Sequence, residues 1–392
     1  MTTNQLADLL IPTELLPRDG RFGCGPTKVP PEALAALADR GAALLGTSHR
    51  KPPVKALVER LQEGLVDFFD LPDDYEVVLG IGGATAFWDA AAFCLVERCS
   101  LHYVFGEFST KFAASTAAAP WLREPVRATS RPGSRPELRS DPAVDVQALT
   151  HNETSTGVAM DIARPDGDAL VLVDATSGAG GLPIDVRNSD AYYFSLQKGF
   201  ASEGGLWVAL LSPGAIERVQ RLTRERYVPP FLDLAIASDN SREQQTYNTP
   251  AIATLFLAAE QVDWMLARGG LEAMVAGCAT KAAFVYEWAE ETDYTTPFVT
   301  DPEARSNVVA TIDLAEELEA GEVNAVLRAN GIVDTDSYRK LGRNQLRVGL
   351  FPAIDMDDVV AFTRCVDWIA DRLSSASLGR RPATPPPSPS GD

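Results

Sequence analysis

The sequence predicts an α/β fold, a large domain with a mostly parallel sheet flanked by helices, followed by a smaller C-terminal α+β domain. Three observations carry that expectation. Short runs of buried-strand composition alternate with helix-length segments as far as about residue 211, the rhythm of a parallel sheet whose crossovers are helices. A long apolar helix, Ala251 to Ala267 (AIATLFLAAEQVDWMLA), stops at Arg268-Gly269-Gly270, glycine being a strong helix terminator. Beyond that stop the texture of the chain changes.

Taken in order, Pro31 to Leu45 and Val54 to Phe69 read as helices, Glu76 to Leu79 as a strand, and Ala84 to Val96 as a helix entered through glycines. Leu101 to Phe105 reads as a strand, Val144 to Leu149 as an apolar segment, and Ala169 to Val173 as a buried strand that ends on Asp174. A second short apolar segment, Ala191 to Phe194, delivers Ser195, Gln197 and Lys198, and Gly204-Gly205 turn into another buried strand. After the glycine stop, a helix over Leu271 to Thr292 leads to strands near Val308 to Ile312 and Gln345 to Leu350. Helices at Gly321 to Asn330 and Asp355 to Leu373 complete this part. From Ser374 the chain reads SSASLGRRPATPPPSPSGD, rich in Pro and Ser without apolar periodicity, and is predicted to be disordered. The expected division is residues 1–269, 270–373 and 374–392.

A chain of 392 residues is long enough for two cores. A net charge of −19 argues against nucleic acid or an anionic membrane as partner, since both need a basic face. No run approaches a membrane span, and MTTNQLADLLIPTE lacks a basic start followed by an apolar core. A cytoplasmic location is therefore expected. Cys24, Cys94, Cys99, Cys278 and Cys365 show no metal spacing and are odd in number, the pattern of free thiols in a reducing compartment. The three histidines are too few and scattered for a histidine-based metal site, so no metal is expected.

The most informative stretch is ALVLVDATSGAGGLPIDVRNSDAYYFSLQKGFASEGG, from Ala169 to Gly205. It places a carboxylate, Asp174, at the tip of one strand and Lys198, 24 positions later, at the tip of another. Pyridoxal 5′-phosphate (PLP) chemistry requires such a pair. A lysine amine bonds to the cofactor aldehyde, and a carboxylate keeps the pyridine nitrogen protonated so that the ring accepts electrons. Asp-Ala-Thr-Ser after a strand also makes a helix N-cap, and most strand-end lysines are solvated. The surroundings weigh on the first side: a lysine between two core strands is drawn inward, where burial lowers its pKa and favours the nucleophilic amine.

Other constellations are consistent with that chemistry. Gly80-Ile81-Gly82-Gly83-Ala84-Thr85 joins a strand to a helix, a turn whose amides form an anion site. Such turns are common, but Thr85 stands where a dinucleotide fingerprint would place its third glycine. Phe108 follows a strand end and is either a core residue or a stacking face for a cofactor ring. The polar turn from His151 to Gly157 (HNETSTG) is either a capped loop or a set of hydrogen-bonding groups for a cofactor hydroxyl. Thr47-Ser48-His49-Arg50 and Thr246-Tyr247-Asn248-Thr249-Pro250 lead into helices, where capping is the simpler role. Arg347 inside an apolar strand implies a carboxylate partner, and a substrate carboxylate suits its fork. Arg339, Lys340 and Arg343 make the preceding loop basic against the trend of the chain.

Taken together, RFGCGPTKVP, GTSHR, GGATAFWDAAAF, HNETSTGVA, DATSGAGGLPID, SLQKGFASEGGLW, TYNTPAIATL and NQLRVGLFPA, in that order, resemble the phosphoserine aminotransferase family. These are class V, fold-type I PLP-dependent aminotransferases. The resemblance runs from about Pro17 to Leu373. It implies that Lys198 is the cofactor-bonding lysine and Asp174 the pyridine-nitrogen partner. It places Ala84 and Thr85 at the phosphate turn, Thr154 at the cofactor hydroxyl, and Gln197 against the cofactor. It also implies a homodimer with shared active sites. Asn248 and Thr249 would reach the cofactor phosphate, and His49 and Arg50 the substrate, across the interface, while Arg347 would hold the substrate α-carboxylate. The chain departs from the family in having Thr85 where an arginine is common, Phe108 where a tryptophan stacks, and Arg339-Lys340 at a His-Arg pair for the substrate phosphate.

The implied reaction is reversible amino transfer between L-glutamate and a phosphorylated 2-keto acid, 3-phosphohydroxypyruvate, in L-serine biosynthesis, with some members also serving pyridoxine biosynthesis. Other class V reactions, such as alanine–glyoxylate-type transamination, and a non-catalytic PLP-fold binding protein are the alternatives. Desulfuration is disfavoured because Asn330 to Arg347 holds no cysteine.

Overall fold

The computed structural model describes residue 6 and residues 9–378. Regular structure begins with α1 (Pro31–Arg40) and α2 (Pro52–Phe69), each started by a proline whose fixed φ suits the first helical turn. β1 (Glu76–Ile81) turns through glycine into α3 (Gly83–Cys94); β2 (Ser100–Val104), α4 (Glu107–Ala117), β3 (Val126–Thr129) and β4 (Val146–Thr150) follow. A short hairpin, β5 (Asn152–Glu153) with β6 (Val158–Ala159), precedes β7 (Leu170–Asp174), β8 (Ala191–Ser195) and β9 (Leu206–Leu211). Then come α5 (Pro213–Glu225), α6 (Leu234–Arg242), α7 (Ile252–Leu266) and α8 (Gly270–Glu291). The last part contains β10 (Thr295–Pro297), β11 (Val309–Leu314), α9 (Ala320–Ala329), β12 (Gln345–Gly349) and α10 (Met356–Leu378).

The main sheet has seven strands in the order β1-β9-β8-β7-β4-β2-β3. β9 runs antiparallel to both neighbours, and the remaining pairings are parallel. Alternation along a strand sends its side chains to opposite faces. In β8, Tyr192 and Phe194 enter the core with Leu61, Phe69 and Val262 of α2 and α7. Ala191 and Tyr193 enter the other, with Phe87 of α3 and Val219 of α5. All five β8 residues are buried, as are all five of β7, which explains their unbroken apolar runs.

β10, β11 and β12 form a separate antiparallel sheet with its own core, packed by α8 and α10. The start of the chain belongs to that second core: Leu6, Ile11, Phe22 and Cys24 pack with Val348, Phe362 and Ile369. Backbone bonds tie it there, with Gly349 N–H donating to Phe22 O at 2.8 Å and Val333 N–H to Gly20 O at 2.8 Å. α10 runs past Leu373 to Leu378. Neither proline nor glycine interrupts Ser374 to Leu378, so nothing in the sequence halts the helix there. The rest of the predicted tail, 379–392, lies outside the described residues. Among the described residues no helix is long and apolar enough to cross a membrane, and all five cysteines are free and buried.

Candidate active site

Parallel strands present their C-terminal ends along one edge of a sheet, where ligands of open α/β folds bind. β4, β7 and β8 do this here, ending at Thr150, Asp174 and Ser195. Asp174 is 3 % exposed. Its Oδ2 accepts from Trp88 Nε1 at 2.8 Å, and its Oδ1 from Thr176 N (3.0 Å) and Thr176 Oγ1 (2.6 Å). Burial pushes its carboxyl above the ordinary value, opposed by those donors and by the charge of Lys198.

Lys198 follows β8 by three residues and is 7 % exposed. Its Nζ donates to Thr154 Oγ1 at 3.1 Å and stands 5.3 Å from the Phe108 ring centroid. Burial lowers its pKa from 10.5 to about 8, and the negative charge of Asp174 partly opposes that fall. The lysine stem is packed by the start of the chain. A Cβ on Gly25, whose φ is +132°, would stand 2.4 Å from Lys198 Cε, so only glycine fits there.

A cavity of about 310 Å³ joins these groups, lined among others by Ala84, Thr85, Phe108, Thr154, Asp174, Gln197 and Lys198. Every one of the seven residues assigned to the cofactor on this side by the sequence is therefore at one place. Gly82 (φ +112°) and Gly83 (φ +73°) turn the chain into α3 beside them. The first-turn amides of a helix have no carbonyl partner within it, and that of Ala84 donates to Ser195 Oγ at 2.7 Å. Phe108 lies in the first turn of α4 rather than at the strand end, because β2 closes four residues earlier.

The lining fits pyridoxal phosphate. It offers a helix N-terminus for a phosphate, a buried carboxylate for a protonated ring nitrogen, an amine whose pKa burial lowers towards neutrality, and an aromatic face. Two buried acceptors have no hydrogen-bond partner among the described residues, Asn152 Oδ1 and Gln197 Oε1, and both residues line the cavity. Orphaned buried polar atoms are costly unless a ligand satisfies them.

Arg347 lines a neighbouring cavity of about 570 Å³ together with Arg339, Cys24 and Asp334; Gly25 borders both cavities. Its Nη1 donates to the Thr154 carbonyl at 3.2 Å, and its Nε has no hydrogen-bond partner among the described residues. The carboxylate expected from its position inside an apolar strand is thus replaced within the chain by a carbonyl, which leaves guanidinium donors free. Lys340 lies apart from Arg339, its Nζ bonded to Glu107 Oε1 at 2.5 Å.

The remaining four residues form a separate cluster. His49 Nδ1 is 3.1 Å from Thr249 Oγ1, and Arg50 Nη1 donates to Gln245 Oε1 at 3.1 Å. Asn248 and Thr249 are exposed, and none of the four lines the cavity that holds Lys198. Burial, then the charge of Arg50, lowers the pKa of His49.

Several residues of the site were not assigned a role from the sequence, among them Trp88, Ser195 and Glu153. Trp88 sits one helical turn after Ala84, so i, i+4 spacing along α3 carried the signal. Ser195 and Glu153 lay inside quoted motifs, but the amides they accept from at Ala84, Phe108 and Ser109 are far away in sequence, which no spacing displays.

Residues 136–335 match the family described as aminotransferase class-V. A "putative phosphoserine aminotransferase" of Mycobacterium avium (strain 104) is 61% identical over 372 residues, covering 94% of this chain and 100% of that protein. The phosphoserine aminotransferase of Rhodococcus opacus (strain B4) is 55% identical over 367 residues, 93% of this chain and 98% of its own. Among solved structures, the phosphoserine aminotransferase of Cytophaga hutchinsonii superposes with a TM-score of 0.82 at 24% identity, covering 89% of this chain and 99% of that one.

Proposed function

Because the chain belongs to the class V aminotransferases, and among them to the phosphoserine aminotransferase family, we propose that it moves an amino group reversibly between L-glutamate and 3-phosphohydroxypyruvate. The products are 2-oxoglutarate and O-phospho-L-serine, a step towards L-serine; a related phosphorylated substrate would extend the role to pyridoxine synthesis. The cofactor is pyridoxal 5′-phosphate. The observation that carries this reading is the meeting of Lys198 and Asp174 in one buried cavity beside a helix N-terminus.

When bound, the cofactor supplies an aldehyde that captures amines and an electron-withdrawing ring that stabilises negative charge at the substrate Cα. Around it each side chain has a task. Lys198, once its amine is free, carries a proton from the substrate Cα, a role for which a pKa near 8 suits a base working near neutrality. Asp174 holds its negative charge against the ring nitrogen. Thr85 and the first turn of α3 hold the cofactor phosphate, while Thr154 and Gln197 orient the ring. Arg347, with unsatisfied donors, takes the substrate α-carboxylate.

The substrate phosphate needs cations in a protein of charge −19. Arg339 borders the Arg347 cavity, whereas Lys340 is engaged by Glu107. His49 and Arg50, with Asn248 and Thr249, stand outside the cavity of their own chain. Their position outside that cavity supports a homodimer in which each subunit supplies these four residues to the site of its partner. Exposed Tyr227, Phe231 and Tyr247, apolar surface on the segment that ends in Asn248 and Thr249, favour the same assembly.

The deciding experiment compares phosphohydroxypyruvate with pyruvate and glyoxylate as amino acceptors from glutamate, for wild type and Arg50→Ala. The phosphorylated acid should win by several decades, two or three charge-assisted bonds contributing roughly 1.5–3 kcal/mol each. Arg50→Ala should raise its KM with little change for pyruvate. A mixed dimer of Arg50→Ala and Lys198→Ala subunits should keep one site with wild-type KM. Equal use of the three acids would overturn the substrate, and a mixed dimer no better than Arg50→Ala would overturn the shared site.

The lysine environment gives a pH signature. Capture of pyridoxal phosphate by the apoprotein needs the neutral amine, so its rate should rise with pH through a midpoint of about 8. An ordinary lysine would show its midpoint near 10.5. Borohydride trapping at each pH reads the fraction bound, and a midpoint above about 10 would contradict the burial argument.

A further inference from the structure

Deepening that reading, on which it rests, we propose that Glu153 is a positioning residue of the cofactor site, a buried carboxylate that locks the Phe108 ring in register with Lys198. Glu153 is 0 % exposed. Its oxygens accept from Phe108 N (3.2 and 3.1 Å), Ser109 N (2.9 Å), Ser109 Oγ (2.8 Å), Ser155 N (3.3 Å) and Ser155 Oγ (2.7 Å). Three of these five donors belong to the first turn of α4, so the charge is compensated by a helix N-terminus. Ser155 Oγ in turn accepts from Glu107 N at 3.0 Å, which fixes one more residue of that turn.

Space is reserved for this contact. A Cβ on Gly106 would lie 2.3 Å from Glu153 Cγ and 2.4 Å from its Cδ. The carboxylate therefore occupies the volume a side chain at 106 would need. An amide in its place would direct N–H groups at N–H donors, so only a carboxylate satisfies the whole set.

The position of Glu153 makes the contact more than a cap. The next residue, Thr154, holds Lys198 Nζ through its hydroxyl and Arg347 Nη1 through its carbonyl. One turn of chain, 153–155, thus ties together the aromatic face, the lysine and the arginine of the adjoining cavity. Phe108 is linked to that turn by Glu153 through its own N–H. Loss of the carboxylate would free the ring to drift from Lys198 while leaving Thr154 covalently in place.

The test is a double-mutant cycle on pyridoxal phosphate affinity, measured with the purified full-length protein after removal and re-addition of the cofactor. Phe108→Ala should weaken binding about tenfold, the scale of a lost aromatic contact with its burial. Glu153→Gln should weaken it by a similar factor, and the double variant should be no worse than Phe108→Ala alone. The visible circular dichroism of bound cofactor should change alike in the two single variants, which a loss of stability alone would not produce. Multiplying effects, or unchanged affinity and dichroism in Glu153→Gln, would overturn the proposal. Should Glu153→Gln not fold, Ser109→Ala removes one donor to Oε2, and its roughly two- to threefold loss should likewise vanish in the Phe108→Ala background; persistence there would overturn it too. Failure of wild type to bind pyridoxal phosphate would sink the site reading itself, a result distinct from either.

Discussion

Lys198→Ala is expected to abolish transamination, with a fall of roughly four decades or more, as for other groups that carry a reaction's covalent and proton-transfer steps. The visible absorbance of bound cofactor should vanish with it. Folding should persist, because the lysine lies at the cavity wall and the strands on either side keep their own cores. Absorbance spectra and glutamate half-reactions on the purified variant check the point. Retention of both signals would remove Lys198 from its role.

Asp174→Ala should cost roughly two to three decades in rate, the scale of one preorganised electrostatic contact to a developing charge. The variant also leaves Trp88 Nε1 and Thr176 Oγ1 without their acceptor, so some stability is lost. Asp174→Asn separates the two effects: it keeps shape and an acceptor but removes the charge. Both variants should be slow in single-turnover reaction with glutamate, and Asp174→Asn should melt closer to wild type. Near-normal turnover in either would reject the electrostatic role.

The sequence displayed most of what lies along single elements. Buried runs ending in Asp174 and just before Lys198 were legible because a parallel strand covered on both faces has no polar alternation to obscure it. Asp174 and Lys198 follow from runs at strand ends, where an open sheet puts its chemistry, whereas the cofactor roles of Thr154 and Gln197 came from the family resemblance. What stayed hidden depends on contacts between distant segments. Arg347 bonding to the Thr154 carbonyl, Lys340 drawn to Glu107, and the N-terminal residues joining the second core leave no periodic trace. α6 was also missed, since LAIASDNSR has too short an apolar stripe to signal a helix. α10 outran its expected end because serine and alanine do not stop a helix.

The strip from Gly20 to Thr27 is the first part of the active site to leave the ribosome, yet part of its backbone pairing waits for the strand made last. Its backbone partners are Val333 and Gly349, the latter 327 positions after Phe22, together with Gln197, which accepts from Thr27 N–H at 2.9 Å. A nascent chain that already holds every strand of the main sheet still lacks the second sheet on which this strip is pinned. The Thr27 bond to Gln197 can form early, but no chain ending short of residue 333 can make the Gly20 bond, nor one short of residue 349 the Phe22 bond to Gly349. Translation would therefore leave this wall of the cofactor pocket incompletely pinned until the final strand emerges. The C-terminal unit thereby acts as the clasp that completes the pinning of this wall.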